Sequence, residues 1–467
     1  MRAPRVTVGK WQSAGTVKHE CRHQPIGKRT AGLACARVVH PRRKDNGAIK
    51  MQATRRMVAL WIATGTLAAC SGGSVRSLAP SRRPPEPVMQ AVPNRGFDAW
   101  LDAFRQRAEA RGISPQTLDT ALRSAGFLPG VIERDRNQTE FSRSLEDYLA
   151  IAASEDRLTQ GRAAVSQYRS VLSEIEARYG VDAYVVAAVW GLESFFGARR
   201  GNVPVISAIA TLAYDGRRGA FFEQQLTAAL RILENGDVTP AAMTGSWAGA
   251  MGHTQFIPTS YLAYAVDFRG DGRRDIWSDD PTDALASTAT YLARSGWRSG
   301  QPWGVEVRLP VGFNFNLAGK GKGRRPSEWT AQGVRDMQGR PVADHGAGSI
   351  LTPMGASGPA FMIFSNFAVI SRYNNADNYV IGVGHLSDRL RGGPPIRGSF
   401  PPDKQGMTIA DRQDLQRLLT RAGFDTQGSD GVIGKNTQAA IRAFQQRLGV
   451  EVTGEPSQSL LVQLRRG

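Results

Sequence analysis

The stretch Val189–Gly197, VWGLESFFG, sets Glu193 inside a run of apolar residues. Read outward from DAYVVAAVW, the segment has helical length, and at helical spacing Glu193 shares its face with Val186, Val189, Trp190 and Gly197. A carboxylate on such a face loses solvation of its charged form, which favours retention of a proton near neutral pH. That suits a general acid. A structural Glu satisfied by an Arg or by backbone N–H groups fits the same residues.

Two further stretches carry chemistry by residue type. In GSWAGAMGHTQF, Gly245, Gly249 and Gly252 either let backbone approach a ligand closely or form a tight turn packed against helices. In DFRGDGRRDIW, Asp267, Asp271, Gly272 and Asp275 match positions 1, 5, 6 and 9 of an EF-hand-like pattern, while Arg269 and Ser278 stand at positions 3 and 12. The alternatives are a structural calcium loop and a metal-free Asp/Gly turn held by Arg–Asp pairs. After residue 70 the histidines are His253, His345 and His385, with no HExxH spacing, so metal-assisted hydrolysis is not indicated.

The elements that must hold these stretches are mostly helical. FDAWLDAFRQRAEARG closes at Gly112 and Ser114-Pro115 opens a second helix. A further helix, roughly 166–179, leads through Gly180 into the Glu193 helix. Between about Trp303 and Phe367 the texture changes: Val311, Phe313, Phe315 and Leu317 alternate with polar residues and glycine as a half-buried strand does, which predicts a small β-containing insert. Helix is expected again from FMIFSNFAVISRYN to about Leu390. RGGPPIRGSFPPDKQG reads as a linker, and beyond it DLQRLLTRAGF and NTQAAIRAFQQRLGV read as helices, with Thr437 capping the second and Ile441, Phe444 and Leu448 on its apolar stripe.

Charge and cysteine usage are uneven along the 467 residues. Residues 1–70 hold fourteen Lys and Arg against Glu20 and Asp45, a net of +12, so only +6 of the total +18 belongs to the rest. That remainder has no basic run interleaved with aromatics, and nucleic acid is not an expected partner. Cys21, Cys35 and Cys70 all lie in the same first seventy residues, which excludes a disulfide framework or thiolate metal site for residues 71–467. MQATRRMVALWIATGTLAAC has a positive n-region at Arg55-Arg56, an apolar h-region from Met57 to Ala69 and small residues leading to Cys70.

The ending Leu67-Ala68-Ala69-Cys70 resembles the lipobox of bacterial lipoproteins, which implies cleavage before Cys70 and lipidation of its thiol. Around Glu193, the motifs VWGLESFFG, AIATLAYDGRRGAFFEQQL and GSWAGAMGHTQFIPTSYLAYAVDFRGDGRRDIW resemble, in order, the lytic murein transglycosylases of the B type over roughly Phe97 to Leu390. The resemblance implies a mainly α, lysozyme-like α+β catalytic domain with Glu193 as sole catalytic carboxylate. It implies substrate contacts from Arg217, Arg218, Ser246, Gln255, Tyr291, Tyr373, Asn374 and Tyr379, and a metal loop of Asp267 and Asp271 closing on Asp283. No cofactor is required on this reading; structural calcium is the candidate ion. In the tail, SDGVIGKNTQAAIRAFQQRLG resembles the three-helix peptidoglycan-binding module over about Met407 to Leu464.

The expected organisation is therefore an upstream extension not native to the protein at 1–50, a lipoprotein signal at 51–70, a flexible tether at 71–95, a catalytic domain at 96–391, a linker at 392–406 and a peptidoglycan-binding domain at 407–465. The expected activity is cleavage of the MurNAc–GlcNAc β-1,4 bond with formation of 1,6-anhydro-MurNAc, in the periplasm, with a lipid anchor in the outer membrane favoured. The glycan strand and the membrane are the partners. Ordinary glycosidases need two carboxylates, and no second one stands out. A hydrolytic muramidase and a non-catalytic wall-binding lipoprotein are the alternatives. Mass spectrometry of the membrane fraction is expected to find an acylated N-terminal peptide beginning at Cys70; an unmodified Cys70 contradicts the lipobox.

Overall fold

The computed structural model describes residues 89–137 and 143–466. The upstream extension, the signal with Cys70 and most of the expected tether lie outside the described residues.

Local signals start and stop the helices around the site. Asn94 Oδ1 accepts from Phe97 N to open α1 (Arg95–Ala110), and Ser114, with Pro115 behind it, opens α2 (Pro115–Leu122). After α3 (Pro129–Arg136), serines 144 and 154 cap α4 (Leu145–Ala152) and α5 (Glu155–Gln167). The helix expected at 166–179 is shorter, α6 (Arg169–Tyr179), because Tyr168 breaks it from α5; Gly180 in the left-handed region ends it. Asp182 then caps α7 (Ala183–Ser194), whose residues from Val185 to Leu192 are all buried.

Two long helices, α8 (Val205–Asp215) and α9 (Gly219–Glu234), pack against one another; α10 (Pro258–Tyr264) packs on α9, and α11 (Thr282–Arg294) on α10, α6 and α7. The two-residue strands β1 (Val203–Pro204) and β2 (Thr244–Gly245) pair antiparallel, with Val203 opposite Gly245. This clip brings the glycine-rich stretch back to the segment that leaves α7.

The insert is a four-stranded antiparallel sheet in the order β4-β3-β6-β5, formed by β3 (Gly304–Arg308), β4 (Arg335–Asp336), β5 (Ser349–Leu351) and β6 (Ala360–Ile363), with α12 (Pro326–Ala331) on it. Its own core gathers Val307, Trp329, Ile350 and Met362. The expected strand at Val311–Leu317 is a turn followed by a 3-10 helix, Phe315–Leu317, and Val311 is fully exposed. Alternation there came from loop residues, of which only Phe313 is buried. FMIF, expected as helix, lies largely in β6, and helix begins after it with α13 (Ser365–Tyr373) and α14 (Asp377–Leu390).

Three helices end the chain: α15 (Ile409–Arg421), α16 (Lys435–Leu448) and α17 (Gln458–Arg466), around Met407, Leu415, Ile441, Phe444 and Leu461. Gly434, not Thr437, is the N-cap of α16. Thr437 sits one turn inside, buried, where its hydroxyl accepts from Gln416 Nε2 at 3.0 Å. Leu448 lies off the apolar stripe and is exposed. No helix among the described residues is long and apolar enough to cross a membrane.

Candidate active site

Glu193 is the penultimate residue of α7 and, unlike its helical neighbours, is only half-buried. The chain leaves the helix by an unusual path, with φ of 55° at Phe195, 56° at Phe196 and 89° at Gly197. Left-handed backbone at two aromatic residues costs of order 1–3 kcal/mol each, and such strain persists where the surroundings enforce it. They do so here. Ser194 Oγ accepts from Gly197 N at 2.9 Å and donates to His253 O at 2.5 Å. The Phe196 ring wedges against α7 and α5 where Gly191 and Gly161 leave room, since a Cβ at either would lie 2.5 or 2.6 Å from its Cζ. Phe195 is held between Arg157 and Arg199, whose guanidinium carbons lie 5.0 and 4.6 Å from its ring centre. Gly197 is required twice, by its φ and because a Cβ would meet His253 Cε1 at 2.6 Å.

Tyr379, on α14, donates its hydroxyl to Glu193 Oε1 at 2.7 Å. The residue is fully buried, and burial together with the Glu193 charge pushes its phenol well above the usual range, so it remains a donor. Tyr148 of α4 lies on the same side: its ring fills the space over Gly382, one turn along α14 from Tyr379, and burial and Glu193 push its phenol up as well. Glu193 is the carboxylate whose charge reaches these two phenols most strongly.

The remaining tyrosines expected as sugar-facing rings are at most 6% exposed and meet one another instead. Tyr291 donates to Arg372 O at 2.7 Å and packs 5.0 Å from Tyr373, which donates to Thr254 O at 2.5 Å. Both rings pack against Phe256, and their hydroxyls tie the loops behind the site. Asn374 is buried too; its Oδ1 accepts from Ala376 N at 3.0 Å, a turn that delivers the chain into α14 and so aims Tyr379.

By residue type and spacing His253 enters only as a metal-ligand candidate, yet it ties the site together. Trp190 Nε1 can only donate, and it reaches His253 Nδ1 at 3.1 Å; the proton therefore sits on Nε2, which donates to Ser278 O at 2.7 Å. Burial lowers the imidazole pKa, so the ring is held neutral. This one side chain joins α7, the glycine-rich stretch and the 276–279 loop. The glycines of that stretch take the turn reading: Cβ atoms at Gly245, Gly249 and Gly252 would collide with Ala250 O, Ile209 and Ile276 O. Gln255 adopts φ of 53°, and its amide nitrogen donates to Arg200 O at 2.9 Å and Gly252 O at 2.8 Å. Ser246 Oγ accepts from Ala250 N at 3.1 Å.

Arg217 and Arg218, expected to meet substrate carboxylates, both clasp a buried protein carboxylate. Arg217 Nε donates to Asp135 Oδ2 at 2.7 Å and Arg218 Nη2 to Asp135 Oδ1 at 3.0 Å. Asp135 gave no signal in the sequence, because nothing in α3 marks which of its charged residues turns inward.

The acidic loop does not fit a calcium cage. Asp267 spends both oxygens on its own turn, accepting from Gly270 and Asp271 N at 2.6 and 3.1 Å and from Gly272 N at 2.8 Å. Asp283 accepts from Phe268 N and Asp275 N, each at 2.9 Å, and Asp271 Oδ1 accepts from Arg273 N at 3.0 Å. Arg269 turns out to Glu174 at 2.6 Å. Among the described residues, no three acidic or His side chains form a group able to hold a metal. Burial pushes the Asp283 carboxyl up to about 6, with Asp267 and Asp271 adding to it. The loop closes on backbone N–H groups.

Two outcomes are expected from this geometry. Millimolar calcium should leave the melting temperature unchanged and give no saturable heat in calorimetry; a binding isotherm contradicts the metal-free turn. A histidine held neutral by burial adds stability that is full above the unfolded pKa of about 6.5 and is lost as pH falls below it. Burial holds His385 at about 4 in the same sense. The His253→Gln variant should therefore lose less melting temperature than wild type between pH 7 and pH 5, keeping the part due to His385. An unchanged acid slope contradicts the assignment.

The sequence model of the transglycosylase SLT domain family matches residues 96–388, and that of a peptidoglycan binding domain matches residues 408–464. The membrane-bound lytic murein transglycosylase B of Escherichia coli (strain K12) is 32% identical over 242 residues, covering 50% of this chain and 64% of that protein, so the match spans just under two thirds of the relative. SltB3 from Pseudomonas aeruginosa, solved in complex with NAG-anhNAM-pentapeptide, is 48% identical with a TM-score of 0.65, covering 80% of this chain and 100% of that chain. The Escherichia coli lytic transglycosylase Slt35, solved in complex with calcium, is 28% identical with a TM-score of 0.54, covering 64% of this chain and 93% of that chain. The chain is thus a mainly α protein that belongs to the transglycosylase SLT domain family and carries a peptidoglycan-binding domain behind it.

Proposed function

We propose that the protein is a lytic transglycosylase that cleaves the MurNAc–GlcNAc β-1,4 bond of peptidoglycan with Glu193 as its single catalytic carboxylate. The observation that carries this reading is the 2.7 Å hydrogen bond from Tyr379 to Glu193 Oε1 at a half-buried helix end. Glu193 begins the reaction protonated. Glu193 gives that proton to the glycosidic oxygen as the bond from C1 to that oxygen breaks. The resulting carboxylate keeps the Tyr379 bond, which favours the charged form. It then takes the proton from the C6 hydroxyl of the same MurNAc as O6 attacks C1 and the 1,6-anhydro ring closes. Glu193 is left protonated, and no water is consumed. The relative SltB3 was solved with an anhydro-muropeptide, which supports this product.

Gln255 Oε1 and Ser246 are the nearest candidates for contacts to the glycan from the glycine-rich loop, and Arg217 and Arg218 present the outer sides of their forks to stem-peptide carboxylates. The C-terminal module holds the enzyme on polymeric wall and raises its local concentration there. The lipobox at Cys70, in a chain similar to a membrane-bound relative, supports a lipid-anchored periplasmic protein, with the outer membrane favoured.

Digestion of sacculi followed by mass spectrometry tests the chemistry. Wild type should release anhydro-muropeptides, each one water lighter than a hydrolysis product, and Glu193→Gln should lower release by about 10²–10⁴-fold. Reducing ends from wild type would make it a muramidase; binding without release by either protein would leave a wall-binding lipoprotein. Tyr379→Phe removes a hydrogen bond to a charged group and should slow turnover roughly ten- to hundredfold, with the basic limb of the pH–rate profile moved upward.

A further inference from the structure

Arg412, on α15, is 3% exposed, and its guanidinium joins three separate parts of the chain. Nε donates to Gly431 O at 2.8 Å, in the loop before α16. Nη1 donates to Asp403 Oδ2 at 2.7 Å, in the segment expected as a linker. Nη2 donates to Asp147 Oδ1 at 2.6 Å and to Glu146 Oε2 at 3.2 Å, in the first turn of α4 of the catalytic domain.

The linker is fixed as well. Arg397 N and Gly398 N donate to the Glu306 carboxylate of β3 at 3.0 and 2.6 Å, and Ile396 and Phe400 pack on the catalytic core. A module serving only as a tether needs neither feature; a free spacer gives the same rise in local concentration. A buried ion pair is a weak source of net stability, because desolvation of the charges offsets their attraction, and its best-attested use is to specify one arrangement. Here the arrangement includes the active site. Glu146 and Asp147 immediately precede Tyr148, whose ring lies over Gly382 beside Tyr379, the residue bonded to Glu193.

We propose that Arg412 is a positioning residue through which the wall-binding module holds the first turn of α4, and with it the Tyr148 side of the Glu193 pocket, in the geometry the reaction needs. The module is then a structural part of the active site as well as an anchor on the wall. This rests on the reading of Glu193 as the catalytic group.

The test uses the full-length protein and a soluble two-disaccharide peptidoglycan fragment, too short to gain from anchoring. Arg412→Met and, from the other side of the latch, the pair Glu146→Gln with Asp147→Asn are each expected to lower kcat at least tenfold with KM changed less than threefold. Arg412→Lys should recover part of the loss, and combining Arg412→Met with the α4 pair should cost no more than either alone. Because the α4 pair leaves the module untouched, it also decides the matter if Arg412→Met does not fold. Wild-type kcat on the fragment in both variants overturns the proposal, and so does a loss confined to intact sacculi, which would make Arg412 part of a tether only. A wild-type protein inactive on both substrates overturns the catalytic reading instead.

Discussion

Helix α7 is apolar and buried along its length, and it has to end one residue after the only carboxylate it carries. A Glu in the middle of such a helix would be enclosed and useless for proton transfer; a Glu on an ordinary frayed end would be solvated like any surface acid. The chain resolves this by turning into the left-handed region at Phe195, Phe196 and Gly197, which stops the helix while keeping apolar side chains around the carboxylate. Strain of this kind is retained where the surrounding structure over-determines it. Gly191 and Gly161 make space for Phe196, Ser194 and His253 pin the turn, and the glycine-rich stretch is folded back by the β1–β2 clip to supply His253. Much of the central architecture can be read as support for that one helix end.

A phenol partners Glu193 at the helix end. Tyr379 donates to it, Tyr148 stands beside it, and Tyr373 and Tyr291 lock the loops behind. A buried phenol whose pKa is raised stays a neutral donor, which under the proposed mechanism lets it accompany Glu193 from acid to carboxylate and back without a charge change of its own. Two-carboxylate glycosidases divide the acid and base tasks between groups placed to admit a nucleophile or a water. One carboxylate served by fixed donors suits a reaction in which the nucleophile is part of the same sugar.

Much of this was legible in residue types. Glu193 stood out as the lone acid in the apolar stretch VWGLESFFG, and the α1–α2 junction was marked by Gly112, Ser114 and Pro115. What failed to show was direction. The tyrosines entered only through the family resemblance, and the sequence does not say which neighbours a buried ring packs against. Asp267 and Asp283 had the spacing of ligands, yet backbone N–H groups took their oxygens. Alternation at Val311–Leu317 mimicked a strand because loop residues can alternate by chance, whereas the true strands of the insert are two to five residues long and leave little period to detect. The role of Arg412 depended on a contact with residues 265 and 266 positions away, beyond any local pattern.

The central claim is that the bond to C1 is closed by the sugar's own hydroxyl and not by water. The most direct measurement is digestion of sacculi in water enriched in oxygen-18, with immediate borohydride reduction to stop exchange at free reducing ends, and mass analysis of the MurNAc ends released. The account predicts ends that resist reduction and carry no heavy oxygen. Heavy oxygen at C1 of the released MurNAc would show that water completes the reaction and would contradict it.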